Sequence, residues 1–342
     1  IGDRGGETGM IEDSDILVCT SEKLDSLLRT RSELMDKVGI VVSDEFHLLN
    51  DPNRGPTLEV LLSRIRHRRP EVQIIALSAT VGNSEEMAEW LDAKLITSDW
   101  RPVTLRYGTL TGLDVRVHRV DGSGGEELPE PRSIEGKATR ALQAVLEDTI
   151  REGGQLLVFV SSRASAQKEA RELSKHVRKR LVEGSEAFDG DSAEQWEAIA
   201  DRLAVRDDAS VLVKSLATAI TGGVAFHHAG LTSGQRSLIE ESFREGRLLC
   251  VVATPTLAQG VNLPARRVVV RDLRRWSTAA GRAMPLPVME VRQMMGRAGR
   301  PNYDDAGDAW LLAKSSEEEG DLVDLYLLGD PEEVTSKLAN PT

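Results

Sequence analysis

The sequence predicts an α/β fold with two doubly wound, parallel sheets in tandem. Short β-branched runs alternate with helical stretches along the chain, which is typical of parallel strands covered by helices. The runs are almost continuously apolar, as expected for strands that are buried on both faces. The pattern changes near residue 100, and the stretch 121–136 has the glycines and prolines of a loop. The length of 342 residues suits two domains of roughly 100 to 200 residues each.

In the first half, apolar runs predict strands and amphipathic stretches predict helices. The expected strands lie at 16–20, 39–44, 74–78 and 94–96. The expected helices lie at 21–36, 57–66 and 83–92, the last of them with Asn83 as its cap.

The second half repeats this alternation after the loop. The expected helices lie at 136–152 and 163–182, on either side of a strand at 156–160. An acidic insert over 183–210 then leads to expected strands at 223–226, 248–253, 267–270 and 308–312.

The composition is that of an acidic globular chain, with 43 basic and 55 acidic residues and a net charge of −12. Any surface that binds nucleic acid must therefore be local, because the overall field repels phosphates. No apolar run approaches the roughly 18 residues that suggest a membrane span, so we expect no membrane partner. Cys19 and Cys250 each lie in an apolar run. This position predicts buried, reduced thiols and a cytoplasmic location.

Two adjacent carboxylates, Asp44 and Glu45, follow the strand at 39–44 and precede His47. A carboxylate at the tip of a parallel strand lies where open α/β sheets bind ligands, and it can hold Mg²⁺ through water. A neighbouring acid can polarise an attacking water. The alternative is that both acids only cap the following turn. Ser78 and Thr80 follow the next strand, where their hydroxyls can reach His47 or Asp44 or, alternatively, cap the helix near Asn83.

Arg297 and Arg300 follow Gln293 in a glycine-punctuated segment. A spacing of three residues predicts that both guanidinium groups share one helical face, from which they can reach a transferred phosphate. The alternative is an ordinary basic face that pairs with Asp304 or Asp305.

Hydroxyl side chains recur after several strands, where they can donate to the phosphates of a nucleic-acid strand. They are Thr20, Ser161 (followed by Arg163) and Thr254, the last in a polar loop that also carries Gly260 and Asn262. The alternative for each hydroxyl is a helix N-cap. The adjacent His227 and His228 would point to opposite faces of a strand, which disfavours a shared metal ion.

Taken in order, these segments resemble the motifs of superfamily two DExH-box helicases. The matching segments are the DExH or Walker B box at 43–47, motif III at 78–80, motif IV at 159–163, motif V at 254–264 and motif VI at 293–300. Segments 226–231, 260–264 and 293–300 are similar to the Ski-two-like group. Segments 52–59 and 285–287 are similar to the archaeal helicases that act on stalled forks.

The resemblance implies two tandem RecA-like sheets, the first one incomplete, and the cofactors ATP and Mg²⁺. It implies that Asp44, with Glu45, holds Mg²⁺ and that Glu45 activates water. The other implied catalytic residues are His47, Gln293, Arg297 and Arg300, and the implied nucleotide contacts are Asp44, Gly260, Asn262, Arg297 and Arg300. Coupling is implied for Ser78 and Thr80, and nucleic-acid contact for Thr20, Ser161, Arg163 and Thr254.

The chain departs from the family by lacking a G-x-x-x-x-G-K-[ST] loop, since its one Gly-Lys pair at 136–137 is followed by Ala138. We therefore expect an internal fragment that hydrolyses ATP poorly by itself. Its expected parts are the end of helicase domain 1 at 1–100, domain 2 at 101–320, and the start of a connection to a winged-helix domain at 321–342.

The expected function is that of a monomeric, ATP-dependent 3′-to-5′ DNA helicase that translocates on single-stranded DNA and unwinds forked or damaged DNA in repair and recombination. Two alternatives stay open at this point. One is an RNA helicase of the same group, and the other is a non-catalytic nucleic-acid-binding module without a phosphate-binding loop.

Overall fold

The computed structural model describes residues 14–30, 32–122, 127–185, 191–204, 210–258, 261–278 and 280–338. Within these, the chain forms two compact units. The first comprises the residues up to Thr97 together with those from Pro331 onwards, and the second comprises Ser98–Asp330. The first boundary lies close to the one expected near residue 100. The segment expected to begin a connection is divided, because its helical part belongs to the second unit and its end packs on the first.

The first unit contains one short parallel sheet covered by helices. Its helices are α1 (Ser21–Thr30), α2 (Gly55–Arg68) and α3 (Ser84–Leu91), with 3-10 turns at Ser32–Lys37 and Phe46–Asn50. Strand β1 (Ile40–Ser43) pairs in parallel with β2 (Gln73–Ala76), with Ile40 opposite Gln73. A small core of Leu28, Leu61, Ile65 and Val72 lies beneath them.

Two expected strands, at 16–20 and 94–96, are wrong. Both segments lie outside any helix or strand, and Ile16 and Ile96 are 81% and 82% exposed. A strand needs a neighbouring backbone to pair with, and among the described residues of this unit β1 and β2 pair only with each other. Ile40 and Val42 are accordingly exposed, although the apolar run predicts burial on both faces.

The second unit is built on an eight-stranded sheet in the order β5-β4-β3-β12-β9-β6-β8-β7. Its strands are β3 (Thr104–Thr111), β4 (Asp114–Asp121), β5 (Arg132–Ser133), β6 (Leu156–Phe159), β7 (Val224–His227), β8 (Cys250–Ala253), β9 (Arg267–Val270) and β12 (Ala306–Ala313). The six neighbouring strands β3, β12, β9, β6, β8 and β7 are parallel to one another. At the β3 edge, β4 pairs antiparallel with β3, and β5 pairs antiparallel with β4. A separate hairpin joins β10 (Arg274–Ser277) to β11 (Arg282–Pro285).

Helices cover this sheet and close its core. They are α4 (Ala141–Arg151), α5 (Arg163–Val182), α6 (Asp191–Ala204), α7 (Val211–Ile220), α8 (Ser233–Arg244), α9 (Val288–Met295) and α10 (Ser316–Leu322), followed by a π-helical turn at Val323–Leu328. Every residue of β6, β7, β8 and β9 is buried, which confirms the interpretation of their apolar runs. None of the helices in the described segments is long and apolar enough to cross a bilayer.

Several elements of this unit were not predicted, among them two strands and one helix that precede residue 205. Strands β3 and β4 lie where the pattern changes after residue 100, and the acidic insert contains helix α6. Trp196 on α6 is 1% exposed, and its indole N–H donates to the carbonyl of Arg247. Both cysteines are free thiols, with Cys250 buried and Cys19 half-buried, and burial raises the pKa of each.

Candidate nucleotide and nucleic-acid sites

The end of β1 carries the predicted carboxylates in a constrained turn. Glu45 has a left-handed backbone (φ 52°), and its N–H donates to Asp44 Oδ1 at 2.8 Å. Asp44 is exposed, and Glu45 is partly buried. No group of three or more potential metal-ligating side chains occurs among the described residues. One or two carboxylates completed by water and phosphate oxygens suffice for Mg²⁺, and this pair fits that requirement.

His47 connects this turn to the segment that follows β2. The ring is buried, its Nε2 lies 3.2 Å from Glu45 Oε2, and its Nδ1 accepts the Ala79 N–H at 3.3 Å. Since Nδ1 accepts, Nε2 carries the proton and donates to the Glu45 carboxylate. Burial lowers the pKa of His47, although Glu45 and Asp44 act to raise it. The neutral ring therefore joins the DExH box to motif III.

The predicted contact of His47 with the hydroxyls of Ser78 and Thr80 needs correction, because His47 is bound by the backbone N–H of Ala79. Ser78 and Thr80 are exposed, and the Ser78 hydroxyl donates to the Ala79 carbonyl at 2.9 Å. The two strand ends are also tied by main-chain bonds, from Phe46 N–H to the Leu77 carbonyl and from Leu77 N–H to the Ser43 carbonyl. Motif III is thus held to the carboxylate turn by main-chain geometry.

Asn83 immediately precedes α3, but its side chain makes no cap there. Its amide instead pairs both ways with the backbone of Val334, at 2.8 and 3.0 Å.

Thr20 is exposed and caps α1, since its Oγ1 accepts the Lys23 N–H at 3.2 Å. The capping interpretation therefore holds for Thr20.

The carboxyl edge of the second sheet gathers Ser161 after β6 and Thr254 after β8. Both hydroxyls have partners within the unit. The Ser161 N–H and hydroxyl both donate to Asp272 Oδ2, at 3.0 and 3.1 Å, and Thr254 Oγ1 lies 3.0 Å from Thr256 Oγ1. Thr254 is also buried. Arg163, the first residue of α5, is exposed at the same edge, as Thr20 is on the first unit.

Motif VI does not present its two arginines on one helical face, because α9 ends at Met295 and Gly296 caps it. Arg297 and Arg300 lie in the turns that follow. Gly299 explains the glycine punctuation, since its φ is 91° and a Cβ there would lie 2.7 Å from a methyl of Val103.

Arg297 is attached to the motif V loop. Its guanidinium donates to the carbonyl of Ala258, and its own carbonyl accepts the Ala265 N–H at 3.0 Å. Asn262 in this loop is exposed, Gln293 on α9 is half-buried, and Gly260 lies outside the described residues.

Arg300 lies at the opposite, amino edge of the sheet and is held by Asp304. Its Nε and Nη2 bind the two carboxylate oxygens at 2.9 and 2.8 Å, and its Nη1 donates to Gln155 Oε1 at 3.2 Å. Burial acts to raise the pKa of Asp304, but the hydrogen bonds of Arg300 lower it. The pairing with Asp304 is the alternative that the sequence left open for this arginine.

Comparison with known proteins places these motifs in a family. Residues 3–88 match the DEAD/DEAH box helicase family, and residues 209–302 match the helicase conserved C-terminal domain. The chain is also 40% identical over 337 residues to the ATP-dependent DNA helicase Hel308 of Methanocella arvoryzae, covering 98% of this chain and 43% of that protein.

The chain carries a DEAD/DEAH box helicase domain and a helicase C-terminal domain. The two domain matches imply tandem RecA-like folds, in agreement with the α/β architecture.

Two further relatives give the same picture of this helicase chain. The proteins named ATP-dependent DNA helicase Hel308 of Caldivirga maquilingensis and Pyrobaculum calidifontis are 41% and 42% identical to it. The alignments cover 100% and 99% of the chain but only 43% and 45% of those relatives. The chain thus spans less than half the length of the curated relatives that it matches.

The helicase chain has one exposed feature that sequence reasoning missed, the hairpin of β10 and β11. Trp276 on β10 is 67% exposed, and Arg274 and Arg282 are exposed around it. Arg275 binds Glu290 through two hydrogen bonds of 2.9 and 3.2 Å, which ties the hairpin to α9. The signal was present in the Arg-Arg-Trp triplet, since basic residues beside an aromatic one are typical of surfaces that bind single strands.

The two histidines at the end of β7, His227 in the strand and His228 just after it, have partners within the unit. His227 binds Glu240 at 2.8 Å, and His228 accepts the Gly230 N–H at 3.1 Å and contacts Gln167. Burial lowers the pKa of both rings. Each ring is therefore a neutral, hydrogen-bonded part of the structure.

Proposed function

We propose that this chain is the motor portion of an ATP-dependent 3′-to-5′ DNA helicase that moves along single-stranded DNA and unwinds forked or damaged DNA. The observation that carries the proposal is the contact of Glu45 with His47 and of His47 with Ala79, at the carboxyl ends of β1 and β2. It joins a candidate base for hydrolysis to a segment that can report its state. Similarity to the relatives, which are ATP-dependent DNA helicases, supports ATP as the nucleotide and DNA as the substrate.

In the proposed hydrolysis, Asp44 and Glu45 would hold Mg²⁺, which neutralises charge on the phosphates of ATP when bound. Glu45 orients a water molecule for attack on the γ-phosphorus and accepts its proton, while the bond to the β,γ-bridging oxygen breaks. The N–H of His47 holds the Glu45 carboxylate in place. Proton transfer to the Glu45 carboxylate would weaken its contact with His47. Because His47 is also bound to Ala79, hydrolysis would then change the contacts of motif III.

Arg297 and Arg300 would meet the γ-phosphate in this proposal. Arg300 would exchange the Asp304 carboxylate for phosphate, since both anions accept two hydrogen bonds from a guanidinium group. Arg297 would connect this event to nucleic acid, because it holds the motif V loop. That loop begins at Thr254, on the carboxyl edge of the sheet, and ends before Arg267 on the amino edge.

The nucleic-acid surface in this proposal is the carboxyl edge of the second unit. Arg163 contributes the exposed cation, and Ser161 and Thr254 shape the edge through their internal hydrogen bonds. Within the first unit, Thr20 is a separate proposed contact to nucleic acid, and Ser78 and Thr80 are proposed to couple the catalytic turn to it. We propose that the protein works as a monomer in the cytoplasm.

The experiment that tests the substrate uses the full-length product of the gene and matched DNA and RNA forks. We expect ATP-dependent unwinding of the DNA fork with a 3′ single-stranded arm and stimulation of hydrolysis by single-stranded DNA. Unwinding of the RNA fork alone would move the assignment to an RNA helicase. An absence of hydrolysis with either polymer would favour a non-catalytic binding module.

Trp276 is expected to stack on a base of the bound strand. Its replacement by alanine should weaken binding to single-stranded DNA by about 1 to 3 kcal/mol, the usual contribution of one base–aromatic contact. Fluorescence anisotropy with labelled oligothymidylate measures the change. The matched control is Trp100→Ala, since Trp100 is 71% exposed elsewhere on the same unit. Equal affinities of both variants and the parent would rule out stacking at Trp276.

A further inference from the structure

A groove of about 860 Å³ opens on the second unit at the carboxyl ends of β3 and β12. Its walls are the middle of α5, with Lys175 and Lys179, and the turn that leads into α4, with Arg140. Lys314, the residue after β12, closes one end. None of the residues predicted for nucleotide or nucleic-acid binding lines this groove.

The groove is locally positive although the chain carries −12. Besides its four cations, it is lined by the carboxylates of Glu169 and Glu172, and Glu169 is already bound by Arg271 at 2.6 Å. Lys168 and Arg171 extend the positive charge along the exposed side of α5. Together with Lys175 and Lys179, they recur every three or four residues, which places them on one face of the helix.

The lysines of the groove are exposed and only weakly paired with carboxylates, so they can bind another anion. Lys175, Lys179 and Lys314 are 58%, 70% and 87% exposed. Their nearest carboxylate oxygens are 3.6, 3.5 and 4.0 Å away, on Glu172, Glu183 and Glu318. Exposed pairs of this kind contribute about 0 to 1 kcal/mol. An incoming polyanion can therefore replace those carboxylates at little cost.

The groove continues a surface that already has a proposed ligand. Helix α5 begins at Arg163, the exposed cation at the carboxyl edge of the same sheet. At 1.5 Å per residue, Lys175 and Lys179 lie about 18 and 24 Å further along the helix axis. A strand that passes Arg163 can extend along α5 into the groove.

We propose that this groove binds the phosphate backbone of a nucleic-acid strand beyond the part held at the strand ends. The lining contains no phenylalanine, tyrosine or tryptophan, and its one histidine, His176, is bound to Glu147 at 2.6 Å. Contacts to the phosphate backbone therefore dominate, and binding is independent of sequence. Continuity with Arg163 favours nucleic acid over an acidic protein segment. The choice of ligand rests on the proposed function, and the test below separates the two.

The test compares two double charge reversals in the chain. Lys175→Glu with Lys179→Glu removes the groove cations, and Lys214→Glu with Arg244→Glu makes the same change in net charge at exposed positions of α7 and α8. Circular dichroism verifies that both variants fold. Oligothymidylates of 10 and 30 nucleotides are titrated at several KCl concentrations.

The groove variant is expected to lose about tenfold or more in affinity for the long oligonucleotide, and to bind the short one as the parent does. The slope of log K against log salt should become less steep by about 1.4, because two single-strand phosphate contacts are lost. Equal losses in both variants, or no loss in either, would overturn the groove while leaving the proposed function intact.

The same titrations separate the remaining outcomes. Failure of the parent chain to bind any oligonucleotide would overturn the groove and the nucleic-acid function together. A parallel titration uses polyglutamate in place of DNA. If the parent and the control variant bind polyglutamate and the groove variant does not, while all three keep the same affinity for DNA, the groove is assigned to an acidic protein segment instead.

Discussion

Replacing Glu45 by glutamine is expected to abolish DNA-stimulated ATP hydrolysis by the full-length protein. The amide cannot accept the proton of the attacking water, and general-base catalysis typically contributes about 10²- to 10⁴-fold to a rate. Binding of ATP should persist, because the remaining contacts to the nucleotide are unchanged. Steady-state phosphate release with saturating single-stranded DNA measures the loss.

The matched control is Glu89→Gln, which makes the same chemical change at an exposed position on α3 of the same unit. It should hydrolyse ATP as the parent does. Hydrolysis that survives in the Glu45→Gln protein would remove Glu45 from the role of base. His47→Ala gives a complementary result, since we expect it to reduce stimulation by DNA more than the basal rate.

Replacing Arg267 by alanine is expected to destabilise the second unit by about 3 to 5 kcal/mol, the usual effect of breaking a buried ion pair. Arg267 is fully buried at the start of β9 and binds Asp148, Glu152 and Asp308, at 2.8, 3.1 and 3.4 Å. Its guanidinium also lies 4.1 Å from the centre of the Trp310 ring. Removing it leaves several carboxylates without their shared cation.

The charge state of Asp148 shows how strongly this group is held. Burial acts to raise the pKa of Asp148, but the hydrogen bonds and charges of Arg132 and Arg267 lower it below the usual range. The carboxylate therefore stays ionised inside the protein, and its desolvation is offset only while the arginines remain.

Urea unfolding followed by tryptophan fluorescence measures the effect, because Trp196 and Trp310 are both buried in this unit. Arg151→Ala is the control, since Arg151 is 43% exposed and its ion pairs should contribute about 0 to 1 kcal/mol. A similar small loss for Arg267→Ala would mean that the buried cluster tolerates a missing charge through rearrangement or water.

The sequence was sufficient to predict the parallel core and the elements that carry the motifs. Strands β6 and β8 read as continuous apolar runs, because a strand covered on both faces is mostly apolar, and β9 follows the same pattern after its buried Arg267. Helix α5 was predicted with its observed bounds, Arg163–Val182, since it has a clear cap at Ser162 and a long amphipathic pattern.

The same pattern failed where pairing decides the structure. The runs at 16–20 and 94–96 are apolar, yet among the described residues they join no sheet, because apolar character does not supply a hydrogen-bonding neighbour. Strands β3 and β4 were missed although they form a local hairpin, with Thr111 opposite Asp114 and Gly112 in the turn at φ 66°. Only the pairing of β3 with β12, some two hundred residues later, lies beyond the reach of a local signal.

The sequence by itself determined the chemistry of this protein, since acids, histidine and arginines at motif spacing identify groups able to handle phosphates. Only the tertiary structure decided which of these groups are available. It pairs Arg300 with Asp304, ties Ser161 to Asp272, and gives His47 a backbone partner at Ala79. The physical reason is that hydrogen-bond partners are chosen by distance in space, and these partners come from separate elements or from turns whose shape the residue spacing does not specify.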